Sequence, residues 1–384
     1  MLDGIRVVDM TRLLPGPYAT QLLADLGADI VKIEPPEGDY ARYSTPRVGG
    51  EGGVFSMVNR GKRSVSLDLK DDAGLDAFYA LVDGDGWDAD AVVEGFRPGV
   101  ADRLGVGYED VRERNEDVVY CSLSGYGQEG GASDEAGHDL NYAAYAGLLD
   151  MTRSRDGDVA IPGFPVGDMA GGVFCALSVV SALLGRERGA GGETGGGEYV
   201  DASMAEALLS FSQAVVPDAL ADDAGAEARG TALTGGYACY DIYETEDGVD
   251  VTLAALEPKF WSEFCETVGR DDLVADHPGD AETREEVAEI FRSRTVEEWR
   301  ETFADTDVPF RSVRSLDEAL EDDDVRDRLV RGGEEEDAPP RIGFPAKTRS
   351  GVERQTDESL PSHGEHTDEV LREAGWSDEE IERV

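Results

Sequence analysis

Short β-rich runs separated by helical stretches repeat through the first half of the chain, and this rhythm limits the choice of fold. Residues 5–10 predict a strand, 17–26 a helix ending at Gly27, and 29–34 a second strand stopped by Pro35-Pro36. Further strands are expected at 64–69, 91–94 and 118–123, with helices at 73–82 and 108–114 between them. A βαβα succession argues for a parallel sheet covered by helices. Sites in such folds collect at the carboxyl ends of the strands. The expected class is α/β, with a Rossmann-like parallel-sheet large domain and a smaller α+β domain.

Past this region the pattern changes. Residues 169–184 predict a buried helix, and the glycine-rich stretch 185–197 holds no GxxxxGK, so it is no phosphate loop. Residues 218–227 form an acidic, Ala-rich linker candidate. A hairpin around Glu246-Asp247-Gly248 joins strands at 240–243 and 249–253, and helices follow at 258–268, 284–292 and 296–302. An acidic connector at 321–337 leads to short C-terminal helices at 367–374 and 377–383, the second opened by a capping box from Ser377 to Glu380. The expected borders are a large domain at 1–190 completed by about 335–384, a linker at 191–234, a small domain at 235–320 and a returning linker at 321–334.

Charge narrows the environment and the partners. The chain carries 83 acidic against 35 basic residues, a net charge of -48 spread from end to end. Apolar periodic segments recur throughout, which argues for a folded protein in a high-salt cytoplasm rather than a disordered one. At molar ionic strength the Debye length falls to ~3 Å and screens the self-repulsion. Nucleic acid is excluded as a partner because no basic face could overcome this field. Residues 5–10 are too short and too charged for a signal peptide, and the apolar run 173–184 falls short of a membrane span. Cys121, Cys175, Cys239 and Cys265 form no CxxC pair and fit no zinc site; they are expected as small buried residues.

Several residues could carry chemistry. Arg60-Gly61-Lys62-Arg63, with Leu67-Asp68-Leu69-Lys70, concentrates positive charge in a very acidic chain. That points to an anionic, phosphate-bearing ligand, or else to a local salt-bridge patch. Arg97 directly follows a strand, where ligand-facing loops sit. His138 follows Gly137 and opens a helical pattern at 140–149, so the helix dipole favours its neutral, basic form; a lone histidine is more often structural. Asp168 opens an apolar helix among small residues, either as an N-cap or as a carboxylate where a ligand comes close. Glu257 precedes Pro258 at another helix start. No GxSxG elbow, HExxH or metal cluster is visible.

Taken together these segments resemble the family III CoA-transferases of CaiB/BaiF type, and within them the α-methylacyl-CoA racemases. The resemblance runs from Leu2-Asp3-Gly4-Ile5 to Gly364-Glu365-His366-Thr367. Pro15-Gly16-Pro17, Leu23-Ala24-Asp25-Leu26-Gly27-Ala28 and the Arg60 segment mark the superfamily. Gly137-His138-Asp139-Leu140-Asn141-Tyr142 and Ala255-Leu256-Glu257-Pro258 are similar to the racemase segments. Pro35 departs from the pattern, standing where some racemases carry an Arg that touches CoA.

The resemblance implies an interlocked homodimer of two-domain subunits, with Glu257 reaching the site from the partner chain. It implies an acyl-CoA substrate, with CoA as part of that substrate and no tightly bound cofactor or metal. Arg60, Leu67, Asp68, Leu69, Lys70, Arg97, Gly137 and Tyr142 would bind CoA. His138 and Asp168 would serve opposite faces of the α-carbon, with Glu257 tuning His138 and backbone N–H groups near Asp139 meeting the enolate oxygen. The expected reaction is racemisation of a 2-methylacyl-CoA thioester. The alternatives are CoA transfer between carboxylic acids with Asp168 as nucleophile, and a non-catalytic CoA-binding protein.

Overall fold

The computed structural model describes residues 1–84, 86–190, 196–221, 225–331, 340–346 and 359–384. Two compact units emerge. The first comprises Met1–Ala146, Pro162–Ser210 and Asp324–Val384, and the second Gly147–Ile161 and Phe211–Asp323. Residues 147–161 therefore group with the second unit, although the sequence borders kept them in 1–190.

The first unit is built on six parallel strands. These are β1 (Arg6–Met10), β2 (Asp29–Glu34), β3 (Arg63–Ser66), β4 (Ala91–Glu94), β5 (Val119–Ser124) and β6 (Glu198–Ser203), in the order β3-β2-β1-β4-β5-β6. This is the doubly wound order, whose direction reverses between β1 and β4 and leaves a crevice at their carboxyl ends. The inner strands β1, β4 and β5 are buried almost throughout because both faces are covered. Val8, Val31, Val65, Val92 and Tyr120 pack with Phe78, Leu81 and Val82 on one face.

Helix α1 (Pro15–Asp25) starts with prolines at its first positions, where a missing N–H costs nothing. Helix α2 (Asp72–Asp83) is capped by Asp71, which accepts the Ala73 N–H. Helix α3 (Val100–Leu104) and helix α4 (Asp139–Tyr145) are short. The pattern at 140–149 is broken by Gly147, whose φ of 80° ends the run. Helix α5 (Val166–Glu187) has 22 residues, longer than the expected 169–184, and by length and composition would suffice to cross a bilayer. It packs instead on α1 and on α6 (Met204–Ser210), with Gly171, Gly172, Cys175 and Val179 buried.

The second unit holds an antiparallel sheet of β7 (Tyr240–Glu244), β8 (Asp250–Ala254) and β9 (Phe310–Ser312), with β8 central. Helices α7 (Pro258–Val268), α8 (Ala281–Phe291) and α9 (Val296–Phe303) pack Trp261, Phe264, Phe291, Trp299 and Phe303 against it. Helix α10 (Thr367–Glu373) returns to β3 in the first unit, and Ser377 and Glu380 form the expected capping box.

Both expected linkers contain regular structure. Part of the expected linker 191–234 is β6, which completes the parallel sheet beside β5; residues 191–195 and 222–224 lie outside the described residues. The expected returning linker is helical over Asp323–Leu329, and residues 332–339 lie outside the description.

Candidate active site

The basic segment after Asn59 is not a surface phosphate cradle. Arg60 is 1% exposed; its Nε donates to the Ser56 carbonyl and its N–H to Gln21 Oε1. Lys62 is equally buried and donates to Asp9 Oδ2 at 3.1 Å, Thr20 Oγ1 at 2.7 Å, Asn59 Oδ1 at 2.9 Å and the Pro17 carbonyl at 2.9 Å. Arg63 pairs with Asp29 and Glu373. Burial alone would raise the Asp9 carboxyl, but Lys62, Lys32 and two hydroxyls hold it well below the usual carboxylate range. The segment is thus an internal ion-pair network under the sheet, and the expected CoA contact of Arg60 is corrected. Charge in a sequence does not distinguish a buried cation from an exposed one.

Two cavities open at the carboxyl ends of the strands. One, of about 390 Å³, is lined by Met10, Ile33, Pro35, Leu67, Asp68, Leu69 and Lys70 among others. The second, of about 630 Å³, brings together Arg97, Gly137, His138, Tyr142 and Asp168. Arg12, Tyr40 and Phe96 line both. Lys70 and Arg97 are exposed, so their charges are available to a ligand. Sequence reasoning missed Arg12, although it follows the end of β1 and the carboxyl-end rule points to such residues.

His138 is the N-cap residue of α4. Its N–H donates to Asn141 Oδ1 at 3.1 Å, and its carbonyl accepts the Asn141 N–H at 2.8 Å. Its ring is exposed at the cavity. The Tyr142 hydroxyl donates to the Gly137 carbonyl at 2.7 Å. A Cβ on Gly137 would come within 2.7 Å of the Tyr142 ring, so only glycine fits. Burial, then the charge of Asp168, pushes the Tyr142 phenol up to about 12 and keeps it a donor.

Asp168 is the third residue of α5 and does not cap it. Asp139 reaches across instead, and its Oδ1 accepts the Gly167 N–H at 2.6 Å and the Asp168 N–H at 3.1 Å. The small residue at 167 is required here, because a Cβ would lie 2.9 Å from that oxygen. The helix dipole favours an ionised Asp168. Burial and then the neighbouring Asp139 charge outweigh it and raise the Asp168 carboxyl to about 6.

Glu257 lies in the second unit, exposed, at the N-cap of α7. Among the described residues no group of three or more His, Cys, Asp or Glu could hold a metal ion. A cavity holding an imidazole, a carboxyl of raised pKa and two guanidinium groups can bind an anionic thioester and move a proton at it.

The family model of the CoA-transferase family III matches residues 2–367. The chain belongs to this family. Its relatives include the succinyl-CoA:mesaconate CoA-transferase of Haloarcula hispanica, 36% identical, covering 97% of this chain and 96% of the relative. The α-methylacyl-CoA racemase of Mus musculus is 34% identical, covering 99% and 95%. A CaiB/BaiF family protein from Brucella suis has a solved structure that superposes with a TM-score of 0.83 at 26% identity, covering 97% of this chain and 99% of that one. The chain, with its six-stranded parallel sheet, thus shares the fold of that CaiB/BaiF neighbour.

Proposed function

We propose that the protein racemises 2-methylacyl-CoA thioesters by removing and returning the α-proton. The observation that carries this reading is that His138 and Asp168 line one cavity, with Asp168 held at about 6. Racemisation has an equilibrium constant of one, so its two bases work best when their basicities are similar. Raising a carboxyl from the carboxylate range toward the imidazole range evens such a pair. The thioester α-proton is far less acidic than either group, so the enolate oxygen needs a donor. A backbone N–H near Asp139 would supply it, and one such donor is typically worth ~3 kcal/mol. Glu257 of the partner subunit would orient His138. Lys70 and Arg97 would hold the CoA phosphates and pantetheine.

The second reading is CoA transfer between carboxylic acids, with Asp168 attacking the thioester carbonyl. The presence of its carboxyl in the cavity and the activities named for the Haloarcula relatives support it. Short dicarboxylic thioesters would suit either chemistry, since Arg12 and Arg97 could meet a second carboxylate. We also propose a homodimer working in a salt-rich cytoplasm. Val173, Leu177 and Leu184 form an exposed apolar stripe on α5, which a second copy would cover; light scattering at high salt tests it.

Incubation of a chiral 2-methylacyl-CoA in deuterated high-salt buffer tests the main reading. Deuterium at the α-carbon with loss of optical purity supports racemisation. CoA passing to a free carboxylate without α-exchange, with an Asp168 ester trapped by hydroxylamine, overturns it in favour of transfer.

A further inference from the structure

Glu94 is a buried carboxyl that the proposed chemistry does not use. It ends β4, beside Met10 of β1 and Ser122 of β5, where the strand order reverses. It is 2% exposed. One oxygen accepts the Phe96 N–H at 2.6 Å, and the neighbouring Ser122 hydroxyl also favours the ionised carboxyl. Phe96 belongs to the turn that also carries Arg97, and its ring lies 5.5 Å beneath the Arg12 guanidinium. Phe96 and Arg12 line both cavities. One side chain therefore fixes the turn that separates them.

We propose that Glu94 is a positioning residue for acyl-CoA binding, which holds the Phe96–Arg97 turn against Arg12 through its bond to the Phe96 amide. The inference rests on the CoA-thioester reading above and holds for racemase or transferase alike. The surroundings disfavour an anion at this position. Burial first, then the charges of Asp102 on α3 and Asp201 on β6, lift the carboxyl to about 7 against the opposing bonds from Ser122 and Phe96. Tyr120 and Cys121 on β5 and Tyr199 on β6 also feel its charge. Met10 faces it from β1 with no charge of its own. A CoA thioester brings further negative charge to the adjoining cavities, so it binds better while Glu94 is neutral.

The test is the dissociation constant of isobutyryl-CoA from pH 6 to 8, by calorimetry in high salt, for wild type, Glu94→Gln and Glu94→Ala. For the wild type, binding should weaken by about fivefold or more as pH rises through about 7. Glu94→Gln keeps an acceptor for the Phe96 N–H, so it should bind at every pH and lose that weakening. Glu94→Ala should bind on the order of tenfold more weakly throughout. Titration of the ligand and of Asp168 affects all three proteins equally and cancels in the comparison with wild type. The inference is overturned if Glu94→Ala binds within twofold of wild type, or if Glu94→Gln follows the wild-type pH profile. If Glu94→Ala does not fold, the Glu94→Gln profile decides alone. A wild type that binds no CoA thioester overturns the CoA reading itself, a separate result.

Discussion

Asp139 Oδ1 accepts the backbone N–H of Asp168 at 3.1 Å. One carboxylate thus secures the start of α5 and, through its charge, helps set the proton affinity of another. Asp168 is protonated below about 6 and ionised above it. A step that needs its carboxylate is therefore lost as pH falls through about 6, with kcat/KM dropping tenfold for each pH unit. Asp139→Asn keeps an oxygen acceptor but removes the charge, so the acid limb should move to lower pH. A pH–rate profile that does not move contradicts this account.

Stability should respond in the opposite sense to the usual paired carboxylate. The folded state holds the Asp168 proton more tightly than the ordinary value of 3.8. This contribution is therefore most favourable at low pH and declines between about 4 and 6. Asp168→Asn should melt above wild type at pH 7 and lose that advantage near pH 4, by calorimetry in high salt.

Lys62 is a test of structure rather than of ligand binding. Lys62→Met removes the cation in direct contact with the buried Asp9 carboxylate and leaves only the charge of Lys32. Loss of one partner of a buried pair typically costs about 3–5 kcal/mol. Denaturant unfolding should show that loss, while the folded fraction keeps its KM for acyl-CoA.

Lys70→Ala and Arg97→Ala should do the reverse. Both side chains are exposed at the cavities, so stability should change by no more than ~0.5 kcal/mol. Each lost charge-assisted contact to a phosphate or carboxylate should raise KM by roughly tenfold, with kcat preserved. An unchanged KM in both would remove them from the CoA site.

The net charge of -48 predicts that salt stabilises the fold. The melting temperature should rise between 0.1 and 2 M KCl as the Debye length shrinks from ~10 Å to a few Å. A flat response would contradict the proposed salt-rich setting.

The sequence was most legible where local pattern decides structure. Asp29–Glu34 and Ala91–Glu94 announce themselves as apolar strands, and Pro258–Val268 as a helix bounded by Pro and Gly. Glu198–Ser203 was hidden, because it follows a glycine-rich stretch and carries Glu198 and Asp201 at the sheet edge. Of the expected site, His138, Asp168, Arg97, Gly137 and Tyr142 do line one cavity. The contact of Asp139 with α5 spans 28 residues, and Arg60 is placed by packing with distant segments. Neither could be read from neighbours in the chain.

The central claim is one base on each face of the α-carbon, and isotope exchange measured separately from each enantiomer tests it most directly. Wild type should incorporate α-deuterium from both enantiomers of a 2-methylacyl-CoA and interconvert them. His138→Ala and Asp168→Ala should each lose interconversion by about a thousandfold or more, with residual exchange confined to opposite enantiomers. Absence of α-exchange from either enantiomer in the wild type, with CoA delivered to an added carboxylate, would contradict the claim.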